Sequence, residues 1–118
     1  MSFEQRREAA LKLAAATGIW RSHYAPPLYR ALWMAGVPLR PPHFASFWFN
    51  VAVLGGFFGS FMCLFTAAVV WFSGRSELLP SLLIAPIIGG VVFGLLMAGF
   101  FYVRARTYNL PPWSEIQP

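Results

Sequence analysis

The residues that could do chemistry are few and scattered. Among 118 residues, His23 and His43 are the two histidines, Cys63 is the single cysteine, and the four carboxylates are Glu4, Glu8, Glu77 and Glu115. Glu4 and Glu8 share one face of a helical pattern and the other two stand alone, so no paired carboxylates or histidine–carboxylate dyad can be drawn. The glycine pairs Gly55-Gly56 and Gly89-Gly90 lie inside apolar runs, where a phosphate-cradling loop cannot form. No nucleophile elbow is present. One cysteine builds neither a disulfide framework nor a thiolate cluster, and a buried packing role is expected for it. Neither histidine sits in a ligand motif, so haem or metal ligation would need a second ligand from elsewhere. Both are expected to form hydrogen bonds at an interface. These residues point away from an enzyme, and they call for no catalytic residue, metal or cofactor.

Composition says why the chemistry is so thin. The chain is 58% hydrophobic, 18% aromatic and 11% charged, against about 25% charged in ordinary soluble domains. A soluble core of this size cannot hide so much apolar surface, so the excess must face lipid or a partner. No Asp, Glu, Lys or Arg lies between Arg40 and Arg75 or between Glu77 and Arg104. Each gap holds the roughly 20 apolar residues that span a bilayer. Two transmembrane helices are therefore expected, over about residues 44–72 and 81–103. At about 1.5 Å per residue the first exceeds a hydrocarbon core of about 30 Å, so it should tilt or keep a turn in the interface. Pro80 stands at the entrance of the second span, and Pro86 inside it predicts a mild kink.

The polar side chains inside the spans include Asn50, Ser60, Thr66 and Ser81. Transporters and ion pathways carry intramembrane charges, and these spans carry none. Asn50 is expected to hydrogen-bond a neighbouring helix. The most patterned feature is small residues at helical spacing: Ala52, Gly56, Ser60, Cys63 and Ala67 on the first span, and Pro86, Gly90, Gly94 and Ala98 on the second. Small faces let helix backbones approach closely, a main source of association in lipid. The two stripes are expected to close this chain's own hairpin. One of them, or the further glycines Gly55, Gly59 and Gly89, could also serve a neighbouring subunit.

The elements before the spans are short. Ser2 and Gln5 form a capping-box pattern that opens a helix to Thr17, and Gly18 stops it. Phe3, Ala10, Leu13, Ala14 and Thr17 gather on one side, with Glu4, Glu8 and Lys12 opposite. Pro26 and Pro27 pre-set a second short helix to about Ala35, which Gly36 and Pro38 end. Trp20, Arg21, Tyr24, Tyr29, Arg30, Trp33 and Arg40 make an aromatic, basic collar suited to headgroup depth, where arginines could pair with phosphates or with a partner's carboxylates. The collar either sets the depth of the first span or binds a partner. Met1 to Leu13 has no apolar central region or cleavage site, so the first span should act as an uncleaved anchor.

Six Lys or Arg precede the first span, Arg104 and Arg106 follow the second, and Arg75 alone lies in the turn. The positive-inside rule then predicts cytoplasmic termini and an external turn. The net charge of +5 is explained by anionic lipid headgroups without invoking nucleic acid. The tail 105–118, with its prolines, is expected to be extended and loosely held.

Gly18-Ile19-Trp20-Arg21-Ser22, Tyr24-Ala25-Pro26-Pro27, Leu32-Trp33 with Gly36, Pro41-Pro42 with Phe44, and Asn109-Leu110-Pro111 with Trp113 together carry a resemblance. The chain resembles small bacterial membrane proteins of domain-of-unknown-function family 6404. The resemblance covers nearly the whole chain and implies a bacterial inner-membrane location, with no activity or ligand. The expected fold class is an all-α membrane protein with an interfacial helical segment (1–42), a transmembrane hairpin (43–104) and a tail (105–118). The expected partners are membrane lipids and either a second copy or another membrane protein, with no nucleic acid and no identified small-molecule substrate. The expected role is a self-associating protein or accessory subunit of a membrane complex. The alternatives are an oligomeric pore and a subunit assisting a redox or transport enzyme's cofactor.

Overall fold

The computed structural model describes residues 2–20, 23 and 25–117, and it is helical with no strand among the described residues. In chain order, α1 is Phe3–Ala16, α2 is Pro27–Met34, α3 is Phe47–Ser73 and α4 is Ser76–Thr107, with 3-10 turns at Pro42–Phe44 and Trp113–Glu115. The chain divides into two compact units, Met1–Ser46 with Phe101–Pro118, and Phe47–Phe100.

In the first unit, local chemistry sets the helix ends. The Ser2 hydroxyl accepts from the Gln5 N–H at 3.2 Å, and the Gln5 side chain accepts from the Ser2 N–H at 3.0 Å. This reciprocal box satisfies donors that α1 itself cannot. Pro27 opens α2, and Gly36, at φ +86°, closes it. There the Val37 N–H donates to the Leu32 carbonyl at 2.9 Å, a six-residue closure that needs a left-handed residue. Asn109 does the same for α4 at φ +52°, with the Leu110 N–H donating to the Ala105 carbonyl at 3.0 Å.

That turn sends the tail into the unit's core. Ala10 and Ala14 of α1 are fully buried with Phe44, Trp113 and Ile116, and Phe3, Ala9 and Leu110 pack around them. The expectation of a loosely held tail is corrected here. The alanines leave room on α1, and Trp113 and Ile116 fill it, each large apolar side chain contributing about 1.5–3 kcal/mol on burial. Leu13, expected on the same face, stays 40% exposed.

In the second unit, both long helices are interrupted, and α4 opens with a 3-10 turn at Ser76–Leu78. Val51–Gly55 of α3 is wound as a π-helix. The irregularity in α4 falls at Leu83, between Leu79–Leu82 and Ile84–Thr107. Pro86 supplies the reason, because it has no N–H for the Leu82 carbonyl and its ring crowds that oxygen. Gly74, at φ +74°, ends α3. Ser73 and Ser81 satisfy their hydroxyls on the carbonyls of Val70 and Leu78, three residues back.

The two helices meet backbone to backbone. A Cβ placed on Gly94 would lie 2.7 Å from the Val51 carbonyl oxygen, one on Gly90 would lie 2.7 Å from the Gly59 Cα, and one on Gly59 would lie 3.9 Å from the Pro86 carbonyl oxygen. Positions climb on α3 as they fall on α4, so the helices run antiparallel. Phe58 and Phe93 stack at 4.5 Å between centroids.

Candidate functional site

The collar residues take different roles from the common one expected of them. Arg21 and Tyr24 lie outside the described residues. Trp20 is exposed and stacks on His23 with centroids 6.0 Å apart. Tyr29, expected at headgroup depth, is fully buried instead, and burial pushes its hydroxyl up to about 12. Its ring meets Trp33 edge-on at 6.1 Å. The Trp33 indole N–H donates to the Leu39 carbonyl at 2.7 Å, which ties α2 to the segment that follows it. The Arg7 guanidinium lies 5.2 Å from the centroid of the same indole. Arg30 keeps a buried Nε without a hydrogen-bond partner.

A second aromatic–cation group was not expected as part of the collar. Trp113 receives Arg6 at 5.9 Å and Arg40 at 5.8 Å from its ring centroid, and Phe3 packs against it at 5.5 Å. A guanidinium near an indole gains from the ring's quadrupole. Only the Asn109-Leu110-Pro111 and Trp113 pattern hinted at this residue, since composition marks the tail as a proline-rich end.

His43 sits beside this group. It is 5% exposed, and neither ring nitrogen has a hydrogen-bond partner, so the interfacial hydrogen bond expected of it is absent. Its ring meets Phe101 edge-on at 5.0 Å. Burial, and then the charges of His23 and Arg104, bring its pKa down to about 4, which leaves the imidazole neutral at neutral pH. A cleft of about 500 Å³ opens here, lined by Arg6, Arg40, His43, Ser46, Trp113 and Ser114 together with Phe44, Ala45 and Leu110 to Pro112. No carboxylate lines it among the described residues.

The small-residue positions divide as well. Gly55, Gly59, Gly90 and Gly94 make the backbone crossing of α3 on α4. Gly56 and Gly89 have no neighbour within 4 Å of a built Cβ. The expectation that Gly56 lies on the stripe closing the hairpin is corrected: Gly55 and Gly59 make the crossing, and Gly56 faces away from it. Ala98 is fully buried. Ala52, Gly56, Ser60 and Cys63 line an open groove of about 480 Å³, with Ile87 and Val91 on its other side. Asn50 is 2% exposed. No group of three or more metal-binding side chains forms among the described residues.

No curated protein and no solved structure matches the chain. A family model matches residues 1–116, the resemblance already carried by the collar motifs and Trp113, and the chain belongs to that family of unknown function, DUF6404.

Proposed function

We propose that this chain is a non-enzymatic, two-span protein of the bacterial inner membrane, with both termini in the cytoplasm, that associates through α3 with a transmembrane helix of a second copy or of a larger complex. The membrane part rests on how bare the long helices are. Only 22% and 17% of the most apolar stretches of α3 and α4 are buried, whereas a core helix of a soluble protein would be mostly covered. Phe61, Leu64, Trp71, Phe72, Ile87 and Leu96 all turn outward.

The observation that carries the association is the groove at Ala52, Gly56, Ser60 and Cys63. The glycine crossing closes the pair on one face of α3 and leaves this second small-residue face uncovered. In lipid an open small-residue face gains chiefly by packing on another helix. The test uses Cys63, the chain's only cysteine, through which any disulfide must join two chains. Oxidation in native membranes should give a Cys63-dependent dimer for a second copy, or a shifted adduct with a thiol-reactive bifunctional crosslinker for a different partner. Absence of both would remove the association reading.

A further inference from the structure

Two residues lining the cleft of the first unit lack polar partners. Among the described residues the Arg40 guanidinium meets only the Trp113 ring, and His43 is buried with neither nitrogen hydrogen-bonded. A buried polar group without a partner costs free energy that a bound group can return. Arg6 approaches the same indole from 5.9 Å, and Ser46 and Ser114 border the cleft. Among the described residues, the charged and titratable groups around His43 are Arg6 and Arg40 in the cleft, Arg104 on α4 and His23 before α2, all of one sign or neutral. A low-dielectric cleft lined by one sign of charge concentrates ions of the other. The Arg40 guanidinium carbon lies 5.8 Å from the Trp113 ring centroid, and a guanidinium presents its N–H donors as a planar fork.

The geometry points to the cleft at Arg40, His43 and Trp113 as a binding site for a phosphate group, with the Arg40 fork taking its oxygens and the imidazole supplying a donor at the floor. Planar forks match phosphate oxygens in pairs, which a lysine cannot do. The phosphate could come from a lipid headgroup or from free phosphate. The lipid source rests on the membrane reading above, and the free one does not.

The test is made on the full chain in a neutral maltoside detergent without phosphate, with nitrogen-labelled histidines and the His43 signal assigned through His23→Gln. Inorganic phosphate and dihexanoyl phosphatidylglycerol are titrated separately, with dihexanoyl glycerol as the phosphate-free control. A saturable shift of His43 is expected with at least one phosphate source and not with the control. Response to lipid alone identifies a headgroup site, to inorganic phosphate alone a free-phosphate site, and to both a site for the phosphate group itself. Arg40→Gln should weaken binding about tenfold or more, and Arg40→Lys, which keeps the charge but loses the fork, by less. No saturable shift with either source, an equal shift with the control, or unchanged affinity in a folded Arg40→Gln protein overturns the proposal. The titration does not depend on Cys63 crosslinking, so either proposal can fail without the other.

Discussion

Gly55 and Gly94 pass so close that a Cβ on Gly94 would lie 2.9 Å from the Gly55 Cα, and a Cβ on Gly55 would lie 3.2 Å from the Gly94 Cα. The obstacle on each side is backbone, which cannot swing away as a side chain can. The crossing is therefore a contact that only glycine permits.

The first prediction follows directly. Gly94→Ala or Gly90→Ala should destabilise the helix pair by about 1–3 kcal/mol, the usual cost of overpacking. Gly56→Ala and Gly89→Ala meet open space and should be neutral or stabilising by up to about 1 kcal/mol, because alanine favours the helix. Denaturant titration in micelles separates the two classes, and equal losses at positions 56 and 94 would contradict the crossing.

The tail should behave as part of a core. Ile116 is 1% exposed and Trp113 packs on the same cluster, so Ile116→Ala or Trp113→Ala should cost about 2–5 kcal/mol. The loss should appear as faster tryptic cleavage at Arg6, Arg7 and Lys12. Gln117→Ala, at an exposed position, should change nothing.

His43 gives a pH dependence with a defined sign. Its pKa falls from 6.5 to about 4 on folding. Between those values the unfolded chain binds the extra proton, so stability is full above pH 6.5 and is lost as pH falls toward 4, by up to about 3 kcal/mol. His43→Leu should flatten the stability curve over that window. A slope unchanged by the substitution would show that another group carries it.

Topology reporters test the orientation. Fusions after Arg40 and at the carboxyl terminus should both read cytoplasmic, and one near Ser76 should read external, because Arg75 is the only basic residue in the turn. A carboxyl-terminal fusion on the external side would refute the two-span arrangement.

Much of the local structure was legible from residue types because its causes are local. Ser2 with Gln5, Gly18, Pro27 and Gly36 set helix ends through contacts within a few residues. The interruption near Pro86 was legible for the same reason, since a missing N–H acts only one turn back. Two charge-free stretches fixed the two long helices. The chosen face was not legible, because Gly55 and Gly56 are neighbours and each continues a small-residue stripe. Val51–Gly55 is wound as a π-helix, which takes more residues per turn and so shifts which side of α3 faces its partner. No composition count carries that shift.

The sequence by itself determined helix ends, long apolar helices, the charge asymmetry around them and membership of DUF6404, since each depends on neighbours in the chain or on composition. Only the tertiary structure decided that the tail is core, that Tyr29 and His43 are buried, and that Trp113 gathers Arg6 and Arg40. Some of these contacts join residues more than a hundred positions apart. Whether an indole meets water, lipid or a guanidinium depends on what the fold brings to it, and no local rule along the chain contains that information.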